Sequence, residues 1–127
     1  MPGPVPDLNM TLEEFEKHTA KALRRLPIFF RDKMENVVVL VAAAPTPAQE
    51  RHFRGGLLGL YEGISLLDRT AHYSGAMPDK ITIFKNNIEA RCSGPEELEK
   101  EISHVVMHEI AHHFGISDEE LLKKGLY

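Results

Sequence analysis

Three features of this 127-residue chain predict an α+β fold. Residues 36–42 and 80–85 are runs rich in β-branched and apolar side chains and read as strands. Leu98, Ile102, Val106, Ile110 and Phe114 recur every four residues, the mark of one long helix. The remaining stretches complete an order of helix, helix, strand, strand, strand, helix, helix. A short β-sheet packed against one buried helix, with flanking helices, satisfies that order.

The elements follow along the chain. Residues 1–10 carry prolines at 2, 4 and 6 and read as a loose leader, with residues 11–127 as one domain. Thr11 and Glu14 have the spacing of a capping box. Leu12, Phe15, Thr19, Ala22, Leu23 and Leu26 then form the apolar face of a helix that stops at Pro27. Lys17, Lys21, Arg24 and Arg25 read as a solvated face of that helix. Residues 28–34 suit a second short helix. The run 36–42 is apolar throughout, which predicts a strand buried on both faces, ended by Pro45 and Pro47. Residues 49–56 are polar and predict a flexible connection with His52 on the surface. Residues 57–64 read as a strand weakened by Gly59 and Gly63. Glycine in a strand marks a bend, a bulge or the close approach of another backbone. Residues 66–76 form a long connection holding Asp68, Arg69, His72 and Tyr73. Pro78-Asp79 is a turn, Asn86-Asn87 ends the next strand, and 88–94 is expected to be a loop. Pro95, Glu96 and Glu97 suit the start of the long helix. Gly115 can end it in a left-handed cap, and 118–124 make a short last helix.

Composition narrows the class. Hydrophobic residues make up 43%, which suits a packed globule. Net charge is -4 and the basic residues are scattered, which argues against nucleic acid or an anionic membrane as partner. A single cysteine, Cys92, excludes an intrachain disulfide and a cysteine-built metal site, and it reads as a bystander. The start lacks a basic-then-apolar signal pattern, and no apolar run approaches a membrane span. A reducing cytoplasm is the expected compartment.

The chemistry is concentrated in residues 103–120. His108, Glu109 and His112 form H-E-x-x-H, the pattern of zinc-dependent peptide hydrolysis. Residues four apart lie on one helical face, so His108 and His112 can offer two imidazoles to one zinc ion. Glu109, at the flank of that face, is placed to act as general base on an activated water. A catalytic zinc takes three protein ligands. After the turn at Gly115, Asp118 is the first residue able to bind metal, completing H-E-x-x-H-x-x-G-x-x-D. Asp118 could instead cap the last helix, unless Ser117 does so and frees it. His104 shares the face of His108 and His112. Three ligands on one straight helix would spread over about 12 Å, so His104 reads as supporting or solvent-facing. His113 points off that face and is expected to pack or hydrogen-bond in the core. Tyr61, Arg69, His72 and Tyr73 are candidates by type for stabilising an oxyanion. Beside a peptidase site, the backbone approaching Gly59 could be that of a substrate.

Several stretches together resemble the bacterial family of minimal zincin-like metallopeptidases, formerly a domain of unknown function. They are Leu57-Leu58-Gly59-Leu60-Tyr61-Glu62-Gly63, Pro78-Asp79-Lys80-Ile81, the Leu26-Pro27 helix end and the run from His108 to Ile116. The resemblance implies a zincin-like fold and an active site at His108, Glu109 and His112, with Asp118 at the remaining motif position. It supplies no substrate beyond a peptide or protein. Metzincins have histidine at that position and a methionine turn, whereas no methionine follows Met107 here. Gluzincins take a glutamate from a later helix, a geometry that fits poorly with fifteen residues after His112, and Glu119 or Glu120 remains the substitute for Asp118. Two functions follow as expectations: a zinc metallopeptidase, and a non-catalytic metal-containing binding module of the same fold.

Overall fold

Local signals in the sequence set the element boundaries of the computed structural model, which describes residues 10–52, 56–63 and 78–125. Arg69, His72 and Tyr73 lie outside the described residues. Helix α1 (Leu12–Arg24) opens on the expected capping box: Thr11 Oγ1 accepts from the Glu14 amide at 3.1 Å, and Glu14 Oε1 accepts from the Thr11 amide at 2.8 Å. Helix α2 (Ile28–Lys33) starts directly after Pro27. Strand β1 (Val37–Ala42) follows.

Residues 47–52 are helical, not a flexible connection. Thr46 and Gln49 exchange amide bonds of 2.9 and 3.1 Å, a second capping box, and Pro47 occupies the first position of helix α3 (Pro47–His52). Strands β2 (Gly59–Glu62) and β3 (Asp79–Phe84) come next. β3 ends at Phe84, one residue before the expected Lys85, and the Asn86-Asn87 pair lies inside a short helix, α4 (Lys85–Glu89), which also replaces the start of the expected loop. Ile88 on α4 is fully buried and supplies the reason for the turn of helix. Helix α5 (Pro95–His113) and helix α6 (Asp118–Lys123) complete the chain.

The sheet runs β1-β3-β2, with β3 central. Strand β1 pairs parallel with β3 from Val37↔Asp79 to Ala42↔Phe84. Strand β2 pairs antiparallel from Gly59↔Ile83 to Glu62↔Lys80. Ile81 and Ile83 are fully buried on the face towards α5, joined by Leu98, Ile102, Val106 and Ile110 of that helix and by Phe15 and Phe30. Full burial of four such aliphatic side chains is worth ~6–12 kcal/mol, so packing rather than intrinsic propensity secures α5. The expected stripe holds for those four residues. Phe114, at the helix end, is 46% exposed.

The expectation that β1 is buried on both faces is not met. Val37, Val39 and Val41 pack on the core, but Val38 and Leu40 are 41% and 46% exposed. β1 is an edge strand. A wholly apolar run does not distinguish a central strand from an edge strand with one face uncovered. Lys17, Lys21, Arg24 and Arg25 are all exposed or partly so, as expected of a solvated face. No helix among the described residues is long and apolar enough to cross a membrane.

Candidate active site

Helix α5 carries the candidate site on its last two turns and is held at both ends. Near its start, the buried Glu99 accepts from His18 Nδ1 at 2.6 Å and Arg25 Nη1 at 3.1 Å, tying α5 to α1. His18 hydrogen bonding, helped by nearby cations and opposed by burial, holds the Glu99 carboxyl below its ordinary value. At its end, Gly115 adopts φ 69°. Its amide donates to His112 O at 3.2 Å, and the Ile116 amide donates to Ala111 O at 2.8 Å. This is a Schellman closure, available to glycine without a Cβ penalty. The chain reverses, and Ser117 Oγ accepts from the Glu120 amide at 3.1 Å to cap α6. Ser117 thus takes the capping role weighed for Asp118, which sits inside the first turn of α6.

His108 and His112 lie one above the other, ring centroids 4.1 Å apart and tilted by 48°. Burial, with His112 and His104 adding to it and Asp118 opposing, lowers the His108 pKa. The neutral imidazole that a metal requires is therefore favoured. Both imidazoles suit zinc in type and adjacency. Asp118 is exposed, on the side of the helix end where its charge reaches His108. Among the described residues no three His, Cys, Asp or Glu side chains come together as a set able to hold an ion. Neither Asp118 nor Glu119 or Glu120 closes a three-donor set with the two histidines.

Glu109 is half-buried, and its Oε1 accepts the Tyr61 backbone N–H at 3.1 Å. Burial raises its pKa, while the Tyr61 amide and His112 pull it down. A carboxyl raised towards neutrality takes up a proton more readily. A cavity of about 350 Å³ opens beside it, lined in part by Gly59, Arg91, Glu101, His104, His108 and Glu109. His104 is exposed on this wall, consistent with a place off the metal pair.

Gly59 lies in strand β2 where the strand meets α5. A Cβ there would sit 2.7 Å from Val105 Cγ1 and 3.5 Å from Glu109 Cγ. The close approach at this glycine is therefore to the site helix itself. The Tyr61 hydroxyl, weighed for an oxyanion, donates to Asp79 Oδ2 at 2.8 Å. Its ring stacks on His113, centroids 3.9 Å apart and 13° from parallel. His113 is accordingly not a core residue as expected: its side chain is 39% exposed, with Nε2 4.0 Å from the same Asp79 oxygen. Asp79, Arg91 and Glu101 were missed in the sequence. Asp79 lay within a stretch carrying the family resemblance but read only as a turn residue, and nothing in the spacing of Arg91 or Glu101 points to the cavity.

Comparison with known proteins agrees with the residue-level resemblance. Residues 34–126 match the model of the zincin-like metallopeptidases, and the chain belongs to that family. Among solved structures, it is similar to a conserved hypothetical protein from Thermus thermophilus, with a TM-score of 0.50 and 20% identity over 90% of this chain and 99% of that one. That likeness concerns the fold. No curated protein matches.

Proposed function

We propose that this member of the zincin-like metallopeptidase family is a zinc-dependent peptidase. The observation that carries the reading is the pairing of His108 with His112, with Glu109 beside them on a cavity wall. His108 and His112 would hold the ion, with Asp118 as third donor once it moves in from its exposed position. Ser117 supports that assignment by leaving Asp118 free of the capping role. Zinc, when bound, supplies Lewis-acid polarisation of the scissile carbonyl and makes water acidic enough to attack near neutral pH. Glu109 accepts the proton of the attacking water and passes it to the leaving amine, so the carboxylate is regenerated in each cycle.

The substrate in this reading is a peptide or protein, in the cytoplasm. A net charge of -4 without a basic cluster supports that over nucleic acid or an anionic membrane. The alternative is a metal-containing binding module of the same fold without turnover. Glu109→Gln separates the two. The amide cannot take a proton, so the variant should keep its zinc and lose ~10²-fold or more in peptide cleavage. Equal cleavage rates for wild type and variant across a peptide library would remove Glu109 as the base. Zinc-loaded wild type that cleaves nothing in the library would favour the binding module.

A further inference from the structure

The structure assigns Tyr61 a positioning role: its side chain locks β2 to α5 and so aims the Glu109 carboxylate. The assignment rests on the peptidase reading for its consequence and on geometry alone for its mechanism. The Phe84 amide donates to Leu58 O at 3.0 Å, and the register pairs Leu60 with Thr82. In an antiparallel pair, bonded residues alternate, so the Tyr61 backbone N–H points away from β3. On the side of β2 away from β3, that N–H meets Glu109 Oε1 at 3.1 Å. The orientation of Glu109 therefore follows the separation and angle between β2 and α5.

Two contacts set that separation. On one side Gly59 lets the strand lie against Val105 without a Cβ between them. On the other, the Tyr61 side chain joins three elements at once. Its ring lies flat on His113, the residue next to His112 on α5. Its hydroxyl donates to Asp79 at the start of β3, two positions from Ile81, which faces Tyr61 across the strands. The diagonal reach is normal for an aromatic on one sheet face. His113 Nε2 lies 4.0 Å from the same Asp79 oxygen. An aliphatic residue at 61 would fill space, but it would fix neither the angle of the strand nor the tilt of the helix end.

The test uses the full chain with Tyr61→Phe, Tyr61→Leu and Asp79→Asn, each checked for folding by circular dichroism. Hydrogen exchange of the residue 61 amide, measured without metal, reads the bond to Glu109. Exchange should quicken about tenfold or more in Tyr61→Leu, and less in Tyr61→Phe, which keeps the stack. Asp79→Asn should fall between wild type and Tyr61→Leu. Amides of α1 should keep their wild-type protection. In peptide cleavage, kcat should fall in the same order with KM little changed, as for a misaimed base. An unchanged residue 61 amide in Tyr61→Leu would overturn the assignment, as would faster exchange with unaltered kcat. A wild type without cleavage would sink the peptidase reading, and the exchange arm would still decide whether Tyr61 aims Glu109.

Discussion

Gly59 sets how near the edge strand can lie to the site helix, and its effect is steric. It is buried in an extended strand where any residue could take the backbone angles, but a methyl group there would meet Val105 Cγ1 at 2.7 Å. Gly59→Ala should destabilise the fold by ~1–3 kcal/mol through overpacking, read as a lower midpoint in urea. Pairing it with Val105→Ala should recover part of the loss, since the clash is with one side-chain carbon. A Gly59→Ala variant as stable as wild type would mean that β2 has room to move off α5. The sequence left a bend, a bulge and a close approach open at Gly59 and offered a substrate backbone as the neighbour, whereas the neighbour is the Val105 side chain. That answer lies in the crossing of two elements 46 positions apart, Gly59 and Val105, and no local pattern encodes it. Tyr61 shows the same limit: its residue type suggested an oxyanion contact, and its bonded partners Asp79 and Glu109 come from β3 and α5.

Caps and packing stripes decide how the elements form, and these were mostly legible. Thr11 with Glu14, Pro95 at the start of α5, and Gly115 at its end act as their local chemistry requires. The Thr46-Gln49 box that starts α3 was equally local, but the polar composition of residues 47–52 masked it. α4 carried no capping signal at all, since Phe84 precedes it without a side-chain bond. The outer face of β1 was misread because strand order is a property of the sheet, not of the strand. Between elements, Glu99 is the clearest electrostatic tie, joining α5 to His18 and Arg25 of the α1 region. Its folded pKa is lowered from 4.5, so it binds protons less readily folded than unfolded. The stability it contributes is present above pH 4.5 and is lost as pH falls from there through the depressed folded value. Glu99→Gln should therefore lower the thermal midpoint at pH 7 and flatten its decline below pH 4.5, at a cost of ~1–3 kcal/mol at neutral pH. Parallel thermal-melt profiles of the two proteins from pH 7 to pH 3 would contradict that role.

At the scale of the whole molecule, one sheet face, one long helix and one reversal bring the chemistry together. β3 and α5 bury the apolar core, and the helix then presents His108 and His112 in adjacent turns. The Schellman closure at Gly115 turns the chain back so that Asp118 follows on the same side. The proposed function requires these three residues to hold one zinc ion. Zinc bound per chain, measured by elemental analysis after equilibration at a fixed free-zinc level, tests it most directly. Wild type should hold about one zinc per chain, as a three-ligand site requires. His112→Ala should lose most of it. Asp118→Ala should also bind far less, while its metal-free form melts near metal-free wild type, because Ser117 keeps the cap of α6. Undiminished zinc in His112→Ala would contradict the account and place the metal elsewhere.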